Sequence, residues 1–294
     1  MNELSNFFKN TFFYKNNIYS TKEIIKNTNA IKYNKISPNK LYSRSKLEFT
    51  NSNFDFESTK NFLSKYIPKK TEFTILDIGS GDGRFTSWIL KNSKLNVIAV
   101  DCNYYSLNKI RLRERRYIKN KRLILICSDI ENLKFRNNVF DYVLNFESLY
   151  YLDKSYFKIL SKINRSIKIH GKLITVERHL FGGCVHSLIN GDLTSMINVY
   201  KNKKIYDYFE KLKVDTISID SKKLISFMNR FYFKLISKKN ISILPMIITY
   251  ILSRDSRMIS VLRKNKKKIF NFLNNHNFSD DSSRLGIYIF RKFK

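Results

Sequence analysis

The chain contains few of the residues that hold disulfide-rich or metal-dependent domains together. Three cysteines and four histidines occur among 294 residues. They form no Cys-x-x-Cys pair and no His-Glu-x-x-His motif, which are the spacings typical of zinc sites. Neither a disulfide framework nor a resident metal ion is therefore expected, and this cysteine usage favours a reducing compartment.

Long apolar runs are absent as well. No segment reaches the ~18 consecutive apolar residues that a membrane-spanning helix needs. Residues 1–17 also lack an uninterrupted apolar stretch of signal-peptide length. Hydrophobic residues nevertheless make up 43% of the chain, which is enough for a packed core and argues against intrinsic disorder. We expect a soluble, cytoplasmic protein with one core and a substantial insertion.

Acidic residues are scarce relative to basic ones. The chain has 55 Lys and Arg against 24 Asp and Glu, a formal net charge of +31. Such a surplus favours an anionic partner, either nucleic acid or a membrane surface. The alternative is a genomic bias, because the abundant Lys, Asn, Ile, Phe and Tyr all have A/T-rich codons and the charge is spread along the chain. Both interpretations stay open.

Glycine is also rare, yet three of the eight glycines fall within five positions. Residues 75–83 read ILDIGSGDG, so an apolar strand breaks into a glycine loop, residues 79–83, before a helix begins at Arg84. Glycine permits positive φ and lets a ligand lie against bare backbone. Asp101 follows Gly81 by twenty positions and ends the next apolar run, where a carboxylate accepts hydrogen bonds from ribose hydroxyls. This pattern predicts a site for a nucleoside-containing cofactor.

The spacing of the glycines separates two cofactor classes. A dinucleotide fingerprint needs G-x-G-x-x-G, and Arg84 stands where its third glycine belongs. The segment D-x-G-x-G-x-G instead resembles motif I of the class I S-adenosylmethionine (SAM) methyltransferases. Further segments resemble this family in the expected order: Ser128-Asp129-Ile130 after the run LILIC, then FDYVL followed by Asn145-Phe146-Glu147, then the helix–glycine–strand segment 155–178.

The resemblance implies that S-adenosyl-L-methionine is the cofactor. The glycine loop would then back its amino-acid end, Asp101 would hold the ribose, and the segment 128–130 would contact the adenine. The candidate cofactor-binding residues are Asp77, Gly79, Ser80, Gly81, Asp101, Cys102, Asp129, Ile130, Asn145 and Phe146.

Three further side chains are candidates for catalysis. Methyl transfer is an in-line displacement from a sulfonium, so the protein aligns the nucleophile and, for an alcohol or ammonium, accepts a proton. Glu147, Tyr150 and His179 follow the fourth and fifth predicted strands, where such groups are needed. Each has a structural alternative: Glu147 as a helix cap, Tyr150 as packing over the cofactor, and His179 as a structural hydrogen-bonding group.

Short apolar strands alternate with amphipathic helices, which predicts an α/β fold. We expect a Rossmann-like, seven-stranded, mostly parallel sheet with helices on both faces. Asn103 and Asp153 are expected to cap helices, and Gly171 to end one in the left-handed conformation. The penultimate strand is not assigned. The predicted strands are 73–78, 96–100, 123–127, 140–145, 173–176 and 285–290.

The same patterns divide the chain into segments. Tyr42 and Arg44 are candidates for covering the cofactor, unless the arm that contains them simply packs on the core. An apolar block, 241–252, is included in the lid, since insertions at this point lie above the cofactor edge of the sheet. The segments are an N-terminal arm or lid (1–54), a SAM-binding core (55–177), a mainly helical substrate lid inserted after strand five (178–267) and a return to the core sheet (268–294).

Absences narrow the expected substrate. The loop after strand four is not N-P-P-Y, and no Pro-Cys dipeptide occurs, so the family's exocyclic-amine and cytosine-C5 types are disfavoured. The favoured hypothesis is methyl transfer to an O, N or C nucleophile of a small or medium-sized, partly apolar metabolite. An RNA methyltransferase that uses the basic surface is one alternative. Another is a methyltransferase of lipid or isoprenoid substrates in peripheral contact with a membrane, suggested by block 241–252. A domain that binds SAM without turnover is the non-enzymatic alternative.

Overall fold

The architecture is that of a computed structural model, which describes residues 2–23, 31–32, 51–189, 193–209, 212–248, 264–265, 267–269, 271, 279 and 283–294. The strands are β1 (Phe12–Lys15), β2 (Ile18–Thr21), β3 (Thr74–Ile78), β4 (Asn96–Asp101), β5 (Leu123–Cys127), β6 (Phe140–Phe146), β7 (Ile167–Arg178), β8 (Lys204–Phe209), β9 (Leu212–Ile217), β10 (Phe233–Ser242) and β11 (Ser283–Lys292). The helices are α1 (Asn2–Ser5), α2 (Asn51–Leu63), α3 (Arg84–Asn92), α4 (Tyr104–Arg113), α5 (Arg115–Lys119), α6 (Tyr156–Ser166), α7 (Leu180–Ile189), α8 (Leu193–Asn202) and α9 (Ser221–Asn229).

Nine of these strands form one sheet, in the order β1-β2-β5-β4-β3-β6-β7-β11-β10. Strands β3 to β7 are parallel, and β11 lies antiparallel between β7 and β10. From β3 the chain proceeds to β4 on one side and later to β6 on the other, so the strand order reverses at β3. Ligands of open α/β sheets bind at the carboxyl ends of the strands beside such a reversal.

The central strands are apolar on both faces because both faces are covered by helices. Along β3, Leu76 and Ile78 enter the core layer that also holds the apolar side chains of α6, whereas Ile75 enters the layer beneath α3 and α4. Strands buried in this way show near-continuous apolar runs rather than alternation. The predicted α/β class, with a mostly parallel sheet and helices on both faces, is confirmed.

The sheet is wider than the seven strands expected. The hairpin β1–β2 adds two strands at the β5 edge, with Tyr19 opposite Ile126 and Ser20 opposite Cys127. Part of the N-terminal arm therefore extends the sheet. Tyr42 and Arg44 lie outside the described residues.

The unassigned penultimate strand is β10, which lies inside the range expected to be a helical lid. The predicted lid range 178–267 thus contains one strand of the main sheet. Strand β10 carries Lys234, Lys238 and Lys239 and, in the part of the chain that the structure describes, pairs only with β11. Edge strands tolerate charged side chains, so their apolar signal in the sequence is weak. The first two residues of block 241–252 end this strand, and its last four lie outside the described residues.

Between β7 and β10 the insertion is mixed rather than mainly helical. It contains α7, α8 and α9 together with the separate two-stranded sheet β8–β9. Strand β9 packs against the 3₁₀ segment Leu149–Ser155 that follows β6. Among the described residues, no helix is long and apolar enough to cross a membrane.

The predicted boundaries of α6 need correction at both ends. Its N-cap is Ser155 rather than Asp153, because the preceding turns are 3₁₀. The helix ends at Ser166, and the residue that adopts the left-handed conformation afterwards is His170, with φ +64°, not Gly171. This turn belongs to an irregularity in β7, where residues 168–171 bulge out of the pairing with β6.

Candidate functional site

The glycine loop forms a tight turn at the carboxyl end of β3. Gly79, Gly81 and Gly83 have φ values of +66°, +54° and +77°, which residues with a side chain rarely adopt. The backbone N–H groups of Gly79 and Ser80 donate to the carbonyl of Val100 at 2.8 and 3.0 Å, so the loop is fastened to the end of β4.

Gly79 is also the position with the least room for a side chain. A Cβ atom added there would lie 2.3 Å from the Cβ of Ser148, far inside van der Waals contact. Ser148 follows β6, and its Oγ donates to the carbonyl of Ile78 at 2.9 Å. The backbone of the glycine loop therefore packs directly against the side chain of Ser148.

Asp101 fixes the same loop from β4. Its Oδ2 accepts from Gly81 N and its Oδ1 from Asn103 N, both at 2.8 Å. Asn103 in turn caps α4 as predicted, since its Oδ1 accepts from Ser106 N at 3.0 Å. Burial raises the pKa of Asp101 to about 6, partly opposed by the N–H groups of Asn103 and Gly81. The carboxylate thus organises the loop, and each oxygen retains acceptor capacity for a ligand.

Asp77 supports the loop from below. It is buried and accepts a hydrogen bond from the hydroxyl of Thr86 at 2.6 Å, which ties β3 to α3. Burial raises its pKa to about 6, and the Thr86 hydroxyl opposes that shift. The side chain lies beneath the loop rather than in the adjoining cavity.

A cavity opens beside the loop at the carboxyl ends of β3, β4, β5 and β6. Five of the candidate cofactor residues lie in its wall: Gly79, Asp101, Cys102, Asp129 and Ile130. The remaining wall residues are mostly apolar, with Glu147 at one side. They are Ile78, Val100, Ser128, Glu147, Ser148, Leu149, Tyr151 and Leu152.

The N-terminal hairpin contributes to the β5 side of this cavity. The hydroxyls of Thr21 and Ser128 are 2.9 Å apart, and Asp129 Oδ1 accepts from Glu131 N at 3.1 Å. Thr21 was not among the residues predicted from sequence. Its segment carries no motif, and the contact joins positions 107 residues apart.

Asn145 and Phe146 do not line the cavity, contrary to what their position after a strand suggests. Asn145 is fully buried: its Nδ2 donates to Thr175 and Glu177, while its Oδ1 accepts from the segment after β6. The ring of Phe146 stacks on Phe85, with centroids 3.9 Å apart. Both side chains hold the surrounding elements in place.

Glu147 is the one catalytic candidate in the cavity wall. It adopts φ +55°, and its side chain is 36% exposed. Its Oε2 accepts from the hydroxyl of Tyr150 at 3.3 Å and lies 3.8 Å from the guanidinium of Arg284. Tyr150 itself is fully buried, and the guanidinium of Arg178 stacks 4.5 Å above its ring. Tyr150 therefore positions Glu147 from beneath.

Arg284 joins this cluster to α2 through an ion pair with Asp55. Both side chains are largely buried, and burial raises the pKa of Asp55 to about 6, with the charge of Arg284 opposing that shift. Sequence reasoning missed both residues, because they are 229 positions apart and neither belongs to a motif.

His179 lies outside the cofactor cavity. It is buried, with Nδ1 2.5 Å from the hydroxyl of Ser283 and Nε2 2.8 Å from the hydroxyl of Tyr288. Both ring nitrogens are thus engaged by β11. This geometry matches the structural alternative for His179 rather than that of a proton acceptor.

Glu177 is a buried acid at the carboxyl end of β7. Its Oε1 accepts from Thr175, from the Tyr156 hydroxyl at 2.8 Å and from Asn145 Nδ2 at 3.0 Å. Burial raises its pKa to about 7, although the hydrogen bonds from those groups oppose the shift.

This shift predicts a pH dependence of stability. The folded state holds the Glu177 proton more tightly than the unfolded state, so this contribution is complete below the unfolded pKa and is lost as pH rises through about 7. We expect Glu177→Gln to flatten the fall in the free energy of unfolding between about pH 5 and pH 8. Urea denaturation across that range measures it, with Glu72→Gln at an exposed site as control. Equal slopes for Glu177→Gln and wild type would show that Glu177 does not titrate in this window.

Metal ligation has no evident place in this arrangement. Within the described part of the chain, no group of three or more His, Cys, Asp or Glu side chains is disposed to hold a metal ion. Cys102 and Cys127 lie near Asp101, and burial raises the pKa of the Cys127 thiol to about 12.

The part of the chain that forms this site is similar to known proteins. Residues 76–175 match a family model described as a methyltransferase domain. An uncharacterised protein of Methanocaldococcus jannaschii is 31% identical over 178 residues, or 60% of this chain. The match spans 66% of that protein, slightly less than two thirds of its length.

Solved structures share the fold at low sequence identity. A candidate SAM-dependent methyltransferase from Listeria monocytogenes superposes with a TM-score of 0.59 at 15% identity, over 82% of this chain and 99% of that one. The 1,6-didemethyltoxoflavin-N1-methyltransferase of Burkholderia thailandensis, solved with its substrate and S-adenosylhomocysteine, gives 0.50 at 12% identity, over 81% and 78%. Residues 76–175 are therefore similar to a methyltransferase domain, and solved SAM-dependent methyltransferases share the fold of this chain.

Proposed function

We propose that this protein transfers the methyl group of SAM to an O, N or C nucleophile of a small or medium-sized, partly apolar metabolite. The observation that carries the proposal is a single cavity whose wall combines the glycine loop, Asp101 and Glu147. Cofactor-binding groups stand on one side of it, and a potential proton acceptor stands on the other.

The residues present fit SAM. The backbone of Gly79 borders the cavity, and the carboxylate of Asp101 is placed to accept from ribose hydroxyls. Ile130 and Leu152 offer apolar surface to the adenine, beside Asp129. When bound, SAM supplies an electrophilic methyl group on a sulfonium.

The sheet order gives the direction from cofactor to acceptor. Neighbouring strands are about 4.8 Å apart, and the cofactor residues end β5, β4 and β3 in that spatial order. This order supports an acceptor position over β6 and β7, which Glu147 and His179 directly follow. Strand β9 of the insertion packs on the segment that supplies Leu149 and Leu152, which supports a role for the insertion in enclosing the acceptor.

Glu147 is the residue we propose as proton acceptor when the nucleophile is an alcohol or an ammonium. Glu147→Gln keeps the size of the side chain and an acceptor for the Tyr150 hydroxyl but removes the base. We expect kcat to fall by about 100-fold and the SAM dissociation constant to stay within about threefold. Steady-state kinetics and calorimetry measure the two effects, with the exposed Glu57→Gln as control. An unchanged kcat would remove Glu147 from the mechanism.

The substrate class is tested by incubating the protein with methyl-labelled SAM and an extract of its own source. Label in organic-extractable small molecules is the expected result. Label in RNase-sensitive material would instead favour RNA as the substrate and indicate that the net charge of +31 serves RNA binding. Label in the phospholipid or isoprenoid fraction would favour the membrane-surface alternative. Absence of label in every fraction would contradict the proposed activity.

A further inference from the structure

A second cavity lies next to the cofactor cavity, on the other side of Arg284. It is bounded by the end of β7, by α7, by β8 and by the start of β11. Its wall contains two guanidinium groups and two imidazoles but, among the described residues, no carboxylate. The wall residues are Arg178, His179, Gly182, Gly183, His186, Ile205 and Arg284.

The close packing of α7 brings these groups together. A Cβ on Gly182 would lie 2.6 Å from Arg284 Cα, and one on Gly183 would lie 2.4 Å from a side-chain carbon of Ile205. Only glycine allows the helix to approach the strands this closely. The cavity is therefore enclosed by secondary structure rather than by surface side chains.

The two arginines come from neighbouring strands. Arg178 ends β7 and is paired with Leu285 of β11, next to Arg284. The Arg178 guanidinium lies 4.5 Å above the Tyr150 ring and donates to Thr216 Oγ1 at 3.4 Å, and these contacts restrict its position. A planar guanidinium held in this way is suited to bidentate recognition of carboxylate or phosphate oxygens.

Two acidic side chains approach Arg284, but both lie outside the wall of the second cavity. Asp55 pairs with Arg284 from the side of α2, and Glu147 faces Arg284 from the cofactor cavity. Neither carboxylate belongs to the wall of the second cavity, whose charged wall residues are Arg178 and Arg284. Arg284 lines the second cavity, and its guanidinium is 3.8 Å from Oε2 of Glu147, which lines the cofactor cavity.

We infer that the second cavity binds an oxyanion group, carboxylate or phosphate, of the acceptor substrate. This inference rests on the proposed function and deepens it: the anionic group would sit between Arg178 and Arg284 while the nucleophile lies near Glu147. The substrate is then a partly apolar metabolite with an acidic group, rather than a neutral one.

The test is a titration of ¹⁵N-labelled protein with sodium phosphate or sodium acetate at constant pH and ionic strength, observed through the histidine ring signals. The signals of His186 and His179 should shift and saturate, whereas exposed His170, on the far side of the sheet, should not. Saturation at lower phosphate than acetate concentration would identify a phosphate group, and the reverse order a carboxylate. Bound S-adenosylhomocysteine should leave the titration intact.

Arg178→Gln should weaken binding of the anion at least tenfold. Arg230→Gln, at the exposed end of α9, should leave that binding unchanged. Should Arg178→Gln fail to fold, Arg178→Lys decides in the same way, because it keeps the charge but loses the bidentate geometry. Equal titrations in wild type and either Arg178 variant, or a parallel drift of all histidines without saturation, would overturn the inference. Competition by S-adenosylhomocysteine would also overturn it. Calorimetry with SAM separates the two proposals: wild-type protein that binds SAM but shows no saturable anion titration refutes only this one.

Discussion

Gly79→Val is expected to abolish SAM binding and to lower the free energy of unfolding by about 3 kcal/mol. The residue has φ +66°, and a Cβ there would lie 2.3 Å from the Cβ of Ser148. Ser148 has little freedom to move, because its Oγ lies 2.9 Å from Ile78 O and 2.6 Å from Asn145 Oδ1, two acceptors for its single proton. A bulky side chain must therefore displace the loop that forms the cofactor cavity.

Calorimetric titration of SAM and urea denaturation measure the two effects of Gly79→Val. The double variant Gly79→Ala/Ser148→Gly serves as the matched test of the steric cause, since it removes the opposing side chain. We expect it to be more stable than Gly79→Ala alone, with the strain of positive φ remaining. SAM binding by Gly79→Val at wild-type affinity would refute the role of the loop.

Asp101→Ala is expected to weaken SAM binding by at least about 100-fold, the loss of one or two hydrogen bonds to a charged group. The substitution removes the proposed acceptor for the ribose hydroxyls. It also removes the partner of Gly81 N and Asn103 N, so the glycine loop and the first turn of α4 lose their common anchor. The dissociation constant measured by calorimetry should rise while the protein remains folded.

Asp141→Asn is the matched control for Asp101→Ala. Asp141 stands near the amino end of β6, where its carboxylate accepts from Thr74 N and from the ammonium of Lys168, both at 2.9 Å. Like Asp101 it tethers neighbouring backbone, but at the opposite edge of the sheet. We expect a modest loss of stability and unchanged SAM affinity. Equal losses of SAM affinity in both variants would mean that Asp101 acts only through the fold.

The core of the fold follows from local sequence patterns. Strand β5 was predicted and found at 123–127, and β3, β4 and β6 differ from their predicted bounds by one residue at one end. Buried parallel strands are short apolar runs, and the glycine loop is bounded by residues with strong conformational preferences. Each of these patterns lies within a few neighbouring residues, so the core strands and the glycine loop can be predicted from sequence alone.

Elements defined by distant partners could not be predicted in this way. Strand β10 was missed because its lysines conceal an edge strand that only pairing with β11 reveals. The Asp55–Arg284 ion pair joins positions 229 residues apart, and no local pattern marks either side chain. The second cavity depends on that same convergence of β11, β7 and α7.

The position of a residue near a strand end was weak evidence that it lines the cavity, because the direction of its side chain decides this. Asn145 lies near the end of β6 and His179 directly follows β7, yet each points into a buried hydrogen-bond network. Glu147, two residues after Asn145, instead lines the cavity. Strand alternation would place residues 145 and 147 on the same face, but Glu147 lies beyond β6 with φ +55°, so the strand does not set its direction.

Calorimetric titration of SAM into the purified wild-type protein tests the central claim most directly. The site described here predicts one saturable binding site per chain, with S-adenosylhomocysteine competing for it. Absence of saturable binding of both compounds to the folded protein would contradict the cofactor site and the proposed methyl transfer together.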